Sequence, residues 1–172
     1  MKKICEACKK EFEPLQPHHR LCPACFKTRR DTAKKDPQQK SLPSNLLLNS
    51  YYDAKGVEVE ELYIDIPEQL AKLFANEKTP LARKQLYDFH RMITKARRQA
   101  ILKGIDEARP ILWQCLTEVK RQYARDVVPE SFLIFLEHHL SMAGKDESSL
   151  EGFFHHFDSI LKSFPIKRRD MK

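Results

Sequence analysis

The sequence predicts a mainly α-helical protein: a five-helix bundle preceded by a small four-cysteine ribbon and a linker. Three observations predict it. Beyond residue 66, apolar side chains recur at spacings of three and four, the period of helices with one buried face. Four of the five cysteines crowd into residues 5–25. Between these regions residues 31–45, DTAKKDPQQKSLPSN, are polar, carry two prolines and lack apolar periodicity, the signature of a linker. The expected organisation is therefore 1–30 ribbon, 31–45 linker and 46–172 helical bundle with an extended N-terminal arm.

The ribbon contains Cys5-Glu6-Ala7-Cys8, thirteen intervening residues, and Cys22-Pro23-Ala24-Cys25. Each C-x-x-C turns the backbone so that two sulfurs converge, and two such turns close a tetrahedral shell around one ion. Zinc is the expected metal, one structural ion per chain, with rubredoxin-like iron the alternative. Four thiolates leave no open position for a catalytic water. About 30 residues cannot bury enough apolar surface to fold alone, so the metal would supply about 10–16 kcal/mol of folding energy. Ile4, Phe12 and Leu21 would form a miniature core. His18 and His19 lie between the pairs and read as surface residues, with replacement of a cysteine the alternative. Lys2, Lys3, Lys9, Lys10, Arg20, Lys27, Arg29 and Arg30 make the ribbon basic, suited to a phosphate backbone or an acidic protein neighbour.

After the linker, residues 46–66 read as an extended arm, with Asp53-Ala54-Lys55-Gly56 as a turn. The first helix is expected over about 67–75, with Leu70, Leu73 and Phe74 inward. Thr79-Pro80 opens the second as N-cap and first helical position. It runs to about Leu102, and Gly104 ends it. The third spans Pro110 to Asp126 with Leu112, Leu116, Val119 and Tyr123 inward. Pro129 starts the fourth, whose face is Phe132, Phe135, Leu136 and Leu140. Ser148 or Ser149 caps the fifth, which aligns Phe153, Phe157, Ile160 and Phe164. Cys115 faces inward on the third helix and reads as a small buried hydrophobe.

Composition excludes several function classes. Only 4 glycines are present, and neither a dinucleotide nor a P-loop phosphate motif occurs. No apolar run approaches the roughly 18 residues of a membrane span, and the charged start lacks the apolar stretch of a signal peptide. A soluble, cytoplasmic protein with no membrane partner is expected. Glu137, His138, His139, His155, His156 and His90 are the candidate catalytic side chains. They diverge around separate helices instead of clustering, which argues against an enzyme.

The 31 Lys and Arg exceed the 24 Asp and Glu, giving +7. Residues 1–40 carry +6, 53–77 carry −5, 78–109 carry +6, 110–158 carry −4 and 159–172 carry +4. Such blocks suit a surface that meets both anionic and cationic partners. On the second helix Leu86, Phe89, Ile93, Ala96 and Ala100 form one face. Lys84, Arg91, Lys95 and Arg98 fall within a sector of roughly 60° opposite, over about 21 Å of rise. That row matches phosphates in series better than one small anion. That face is read as lacking acidic residues, whereas ordinary solvated faces mix signs. Arg97, Arg121, Arg125 and the tail Lys167-Arg168-Arg169 would widen the basic surface.

Residues 46–165 resemble a known family. Ser50-Tyr51-Tyr52-Asp53-Ala54-Lys55-Gly56, Glu61-Leu62-Tyr63, Glu68-Gln69-Leu70-Ala71-Lys72, and then Thr79, Gln85-Leu86, Phe89 and Ile93 occur in order. With Phe153-Phe154-His155-His156-Phe157 in the last helix, they are similar to the small subunit of type III-A CRISPR effector complexes, the Csm small-subunit family. The resemblance implies a non-catalytic, all-helical RNA-binding subunit in antiviral defence. Such subunits stack in several copies along the groove of guide RNA and target RNA, contacting backbone beside other Csm subunits. Two features depart from the family. Its Gln-Leu or Gln-Ile is usually followed by two basic residues, where this chain has Tyr87 and Asp88, and the ribbon at 1–30 lies outside its usual pattern. The ribbon would contact RNA, a neighbouring subunit or another copy. A zinc-ribbon transcriptional or translational adaptor is the competing expectation.

Overall fold

The computed structural model describes residues 3–5, 8–12, 22, 25 and 42–165. Two compact units emerge, 1–39 and 40–172. In the first, β1 (Lys3–Ile4) pairs antiparallel with β2 (Glu11–Phe12), Lys3 opposite Phe12 and Ile4 opposite Glu11. Strands this short present one side chain to each face. Ile4 is 64% exposed and Phe12 only half-buried, so the expected core of Ile4, Phe12 and Leu21 does not form around Ile4. Leu21, His18, His19 and linker residues 31–41 lie outside the described residues.

The second unit is mainly helical, as the periodicity requires. Its helices are α1 (Asp65–Asn76), α2 (Arg83–Lys103), α3 (Ile105–Tyr123), α4 (Glu130–Ala143) and α5 (Glu147–Ser163). α2 packs against α3 and α5, α4 against α3 and α5, and α1 against α5. Phe74, Phe89, Phe132, Phe135, Phe153 and Phe157 are buried where these helices meet. Phe132 meets Phe74 and Phe89 edge-on at 5.3 Å in each case, the geometry that ring quadrupoles favour. All five inward residues expected on α2, Leu86 through Ala100, are buried. Leu73, Leu116 and Tyr123 are partly buried and pack at the core's edge.

Three helix starts differ from expectation. α2 begins at Arg83 instead of Thr79-Pro80, because Leu81 is buried and donates its N–H to the Phe74 carbonyl at 2.8 Å. That contact holds the chain extended up to Ala82, whose N–H is satisfied by Gln85 Oε1 at 2.7 Å. α3 begins five residues before Pro110, immediately after Gly104. Gly104 has φ +90° and ψ 166°, accessible essentially to glycine, and permits a one-residue reversal between two long helices. Asp106 and Glu107 then favour an N-terminus there, while Pro110 removes one ladder hydrogen bond in the second turn. α5 is capped by Asp146, which accepts from the Ser149 N–H at 2.7 Å, instead of by Ser148 or Ser149.

The segment before α1 is less extended than expected. It contains 3₁₀ turns at Ser44–Leu46 and Glu60–Leu62, and α1 already starts at Asp65. The turn at 53–56 is present: Asp53 Oδ1 accepts from the N–H groups of Lys55 and Val57 at 2.8 and 2.9 Å. Leu42, Leu46, Tyr51 and Leu62 are buried in the core of this unit. Tyr51 lies so close to α5 that a Cβ on Gly152 would fall 2.5 Å from its own Cβ. Among the described residues, no helix is long and apolar enough to cross a membrane.

Candidate metal centre and candidate nucleic-acid face

The hairpin β1–β2 positions the first cysteine pair. Cys5 donates its N–H to the Lys10 carbonyl and accepts from Lys9 N–H, both at 2.9 Å. Lys9 takes φ +60°, which lets the chain turn after Cys8 so that Lys10 meets the Cys5 N–H. The second pair arrives by backbone contacts to sulfur: Cys22 N–H lies 3.3 Å from Cys5 Sγ, and Cys25 N–H lies 3.5 Å from Cys22 Sγ. All four Sγ atoms fall within 4.8 Å of one another, Cys8 and Cys22 at 3.8 Å. A tetrahedron with metal–sulfur bonds of about 2.3 Å has edges of about 3.8 Å, so this donor set can hold one metal ion. Hydrogen bonds from Cys22 and then Cys8 push the Cys25 thiol up to about 12. A bound cation reverses that preference by stabilising the thiolates. Lys9 and Lys10 are exposed beside the cluster. The side chains of Lys2, Lys3, Arg20, Lys27, Arg29 and Arg30 lie outside the described residues, as does the tail Lys167-Arg168-Arg169.

In the helical unit, burial of one face of α2 leaves Lys84, Arg91, Lys95 and Arg98 exposed on the other. The row is not free of acid. Asp88, one turn along, pairs with Lys84 at 2.8 Å, because residues four apart lie on the same side of a helix. Arg91 and Lys95 border a groove of about 700 Å³ between α2 and α3, facing Gln114, Glu118 and Gln122. Arg121 makes a bidentate pair with Glu118 at 2.9 and 2.7 Å, and Gln122 donates to the same carboxylate at 2.7 Å. The Arg121 bonds, then Gln122 and the nearby charge of Arg125, hold the Glu118 carboxyl below the usual range. Arg121 is thereby held beside Glu118, and Arg125 lies near that carboxylate from the turn after α3; neither lines the groove itself.

Arg97 goes elsewhere. Its guanidinium binds both Glu151 oxygens at 2.5 Å and sits 4.4 Å from the Phe154 ring centre, tying α2 to α5. The bond to Arg97 is also the main reason the Glu151 carboxyl is held below the usual range. The chain of contacts continues from Glu151 to His155 Nε2 at 3.2 Å, from His155 Nδ1 to Glu58 at 2.7 Å, and to Tyr63, whose hydroxyl donates to Glu58. Sequence reasoning missed this network. Glu151 and His155 are four apart on one helix, which was readable, but Glu58 and Arg97 come from distant segments and carried no signal.

Among the described residues three of the other histidines come together, against the expected divergence: the His139 ring centre lies 5.0 Å from that of His138 and 5.3 Å from that of His156. His139 and Tyr51 share a 2.7 Å hydrogen bond in the core, and His156 donates to the Leu62 carbonyl at 3.2 Å. His138 donates to the Leu48 carbonyl at 2.8 Å, Glu137 pairs with Lys120 at 3.0 Å, and His90 lies 3.3 Å from Asp158. Cys115 is fully buried, and burial pushes its thiol up to about 12, as befits a packed hydrophobe. No protein-family model, curated protein or solved structure matches the chain.

Proposed function

We propose that this protein is a non-catalytic RNA-binding small subunit of a type III-A CRISPR ribonucleoprotein, acting in the cytoplasm. It stacks with copies of itself and other Csm subunits along the groove that holds guide RNA and target RNA. The observation that carries the reading is the row of exposed cations on α2, opposite a fully buried face. The resemblance across residues 46–165 supplies the assembly. Arg91 and Lys95 carry the phosphate contacts, with Arg98 extending the row and Lys84 joining it after release from Asp88. Arg121, paired with Glu118 of the groove wall, and Arg125 beyond the end of α3 widen the basic surface beside it. Arg97 is committed to Glu151 and supports the fold of this face rather than RNA. The four-cysteine centre holds one structural zinc.

Neutralising Lys84, Arg91, Lys95 and Arg98 together should weaken binding by a similar factor for unrelated RNA sequences. It should also lower the slope of log affinity against log salt by about 0.7 for each phosphate left without its cation. A slope unchanged from that of the native chain overturns the assignment. A second reading, a zinc-ribbon transcriptional or translational adaptor, draws on the four-cysteine cluster. It predicts a ribosomal or polymerase partner and gene neighbours of that kind, whereas CRISPR effector genes alongside support the first.

A further inference from the structure

Resting on the RNA reading of α2, we propose that Tyr87 is a stacking platform that selects an unpaired nucleobase. The site would therefore hold an unpaired nucleotide beside the guide–target groove, and take an isolated single strand in preference to a fully paired duplex. Tyr87 is 48% exposed, although a ring of this size ordinarily gains from burial. At 100° per residue it stands among the cations, one turn from Arg83 and Lys84 on one side and from Arg91 on the other. Among the described residues no other aromatic ring packs on it.

Beside the ring lies a groove of about 590 Å³ whose walls include Leu81, Arg83, Lys84, Tyr87, Phe164 and Pro165. The two kinds of wall suit the two parts of a nucleotide. Phe164 and Leu81 are buried beneath the groove. Arg83 is held in place by donating to the Phe164 carbonyl at 3.0 Å, and its guanidinium carbon stands 6.0 Å from the Tyr87 ring centre. That separation is at the outer edge of a cation–π contact, so Arg83 flanks one face of the ring and a base would stack on the other. A base stacked on Tyr87 would place its flanking phosphates towards Arg83 and Arg91. Every base has a π-face, so stacking is sequence-tolerant, but in a duplex those faces are already covered by neighbouring pairs. Lys84 is 85% exposed at the rim and paired with Asp88, which makes Arg83 and Arg91 the stronger phosphate partners.

The test uses the full chain loaded with zinc. The probes are a single-stranded RNA carrying one 2-aminopurine and a blunt duplex of the same sequence. The native chain should bind the single strand more tightly and quench the 2-aminopurine. Tyr87→Ala should lose between about five- and a hundred-fold in single-strand affinity together with the quenching. Duplex affinity and the salt slope should stay unchanged, because the ring carries no charge. Tyr87→Phe should retain both affinity and quenching. If Tyr87→Ala binds and quenches like the native chain while Arg91→Gln with Lys95→Gln weakens binding, the platform is overturned and the RNA reading stands. If Tyr87→Ala loses affinity and the double variant does not, the platform stands and the phosphate row falls. Native affinity in both variants overturns both.

Discussion

In the cysteine unit the described apolar side chains are few and open to water, Ile4 and half-buried Phe12 among them. In the helical unit Tyr51, Phe74, Phe89, Phe132, Phe135, Phe153 and Phe157 are almost wholly removed from it. Among its described residues the first has four sulfurs within 4.8 Å and few apolar contacts; the second has a continuous core and needs no ligand to account for its order. On the metal-centre reading, coordination stabilises the first unit, whereas burial stabilises the second. Each should therefore fail under conditions that leave the other intact.

The largest effect belongs to the metal. Cys22→Ser, or a strong chelator, should remove coordination energy of about 10–16 kcal/mol and unfold the first unit. Metal analysis should find one zinc per chain before and none after, while the helical circular dichroism and its melting temperature stay as they were. A helical melt that fell in step with metal loss would break the separation. Next in size is Phe135→Ala, which opens a cavity among Phe132, His139, Phe153 and Phe157. It should cost about 3–5 kcal/mol in denaturant unfolding, with zinc content unchanged.

The third test sharpens the account of the core with pH. Burial pushes His156 down to about 4 from its ordinary 6.5, and burial also pushes His139 well down. Both are neutral in the folded unit, so the unfolded chain binds more protons below pH 6.5. Their stabilising contribution is complete above that value and is lost as pH falls towards 4. For His156 the loss is about 2 kcal/mol at pH 5 relative to pH 7. His156→Phe should remove that component from the pH dependence of urea unfolding. An unchanged dependence would show that His156 is not titrating as a buried neutral side chain.

Much of this organisation was legible in the residues themselves. Leu86, Phe89, Ile93, Ala96 and Ala100 lie at helical spacing, and all are buried. The two C-x-x-C pairs forecast convergence, because each closes a local turn. Helix starts were less legible. Thr79-Pro80 has the chemistry of a start, but burying Leu81 holds that stretch extended. Pro110 has the chemistry of a first position, yet Gly104 and two acidic residues begin α3 earlier. In both places a contact or backbone conformation outside the motif outweighed a local preference.

The adjacent pair Arg97 and Arg98 states the division most simply. By sequence alone they are two cations on one amphipathic helix, Arg97 about 60° from the middle of its buried stripe and Arg98 about 160° from it. Folding brings Glu151 and Phe154 of α5 to Arg97 and leaves Arg98 exposed. Helical period and cysteine spacing act within a few residues of the chain, so the sequence determines them. The local pair of Lys84 and Asp88 belongs with them, but the neutralisation of Arg97 depends on Glu151, 54 residues away, and only the packing of the helices decides it.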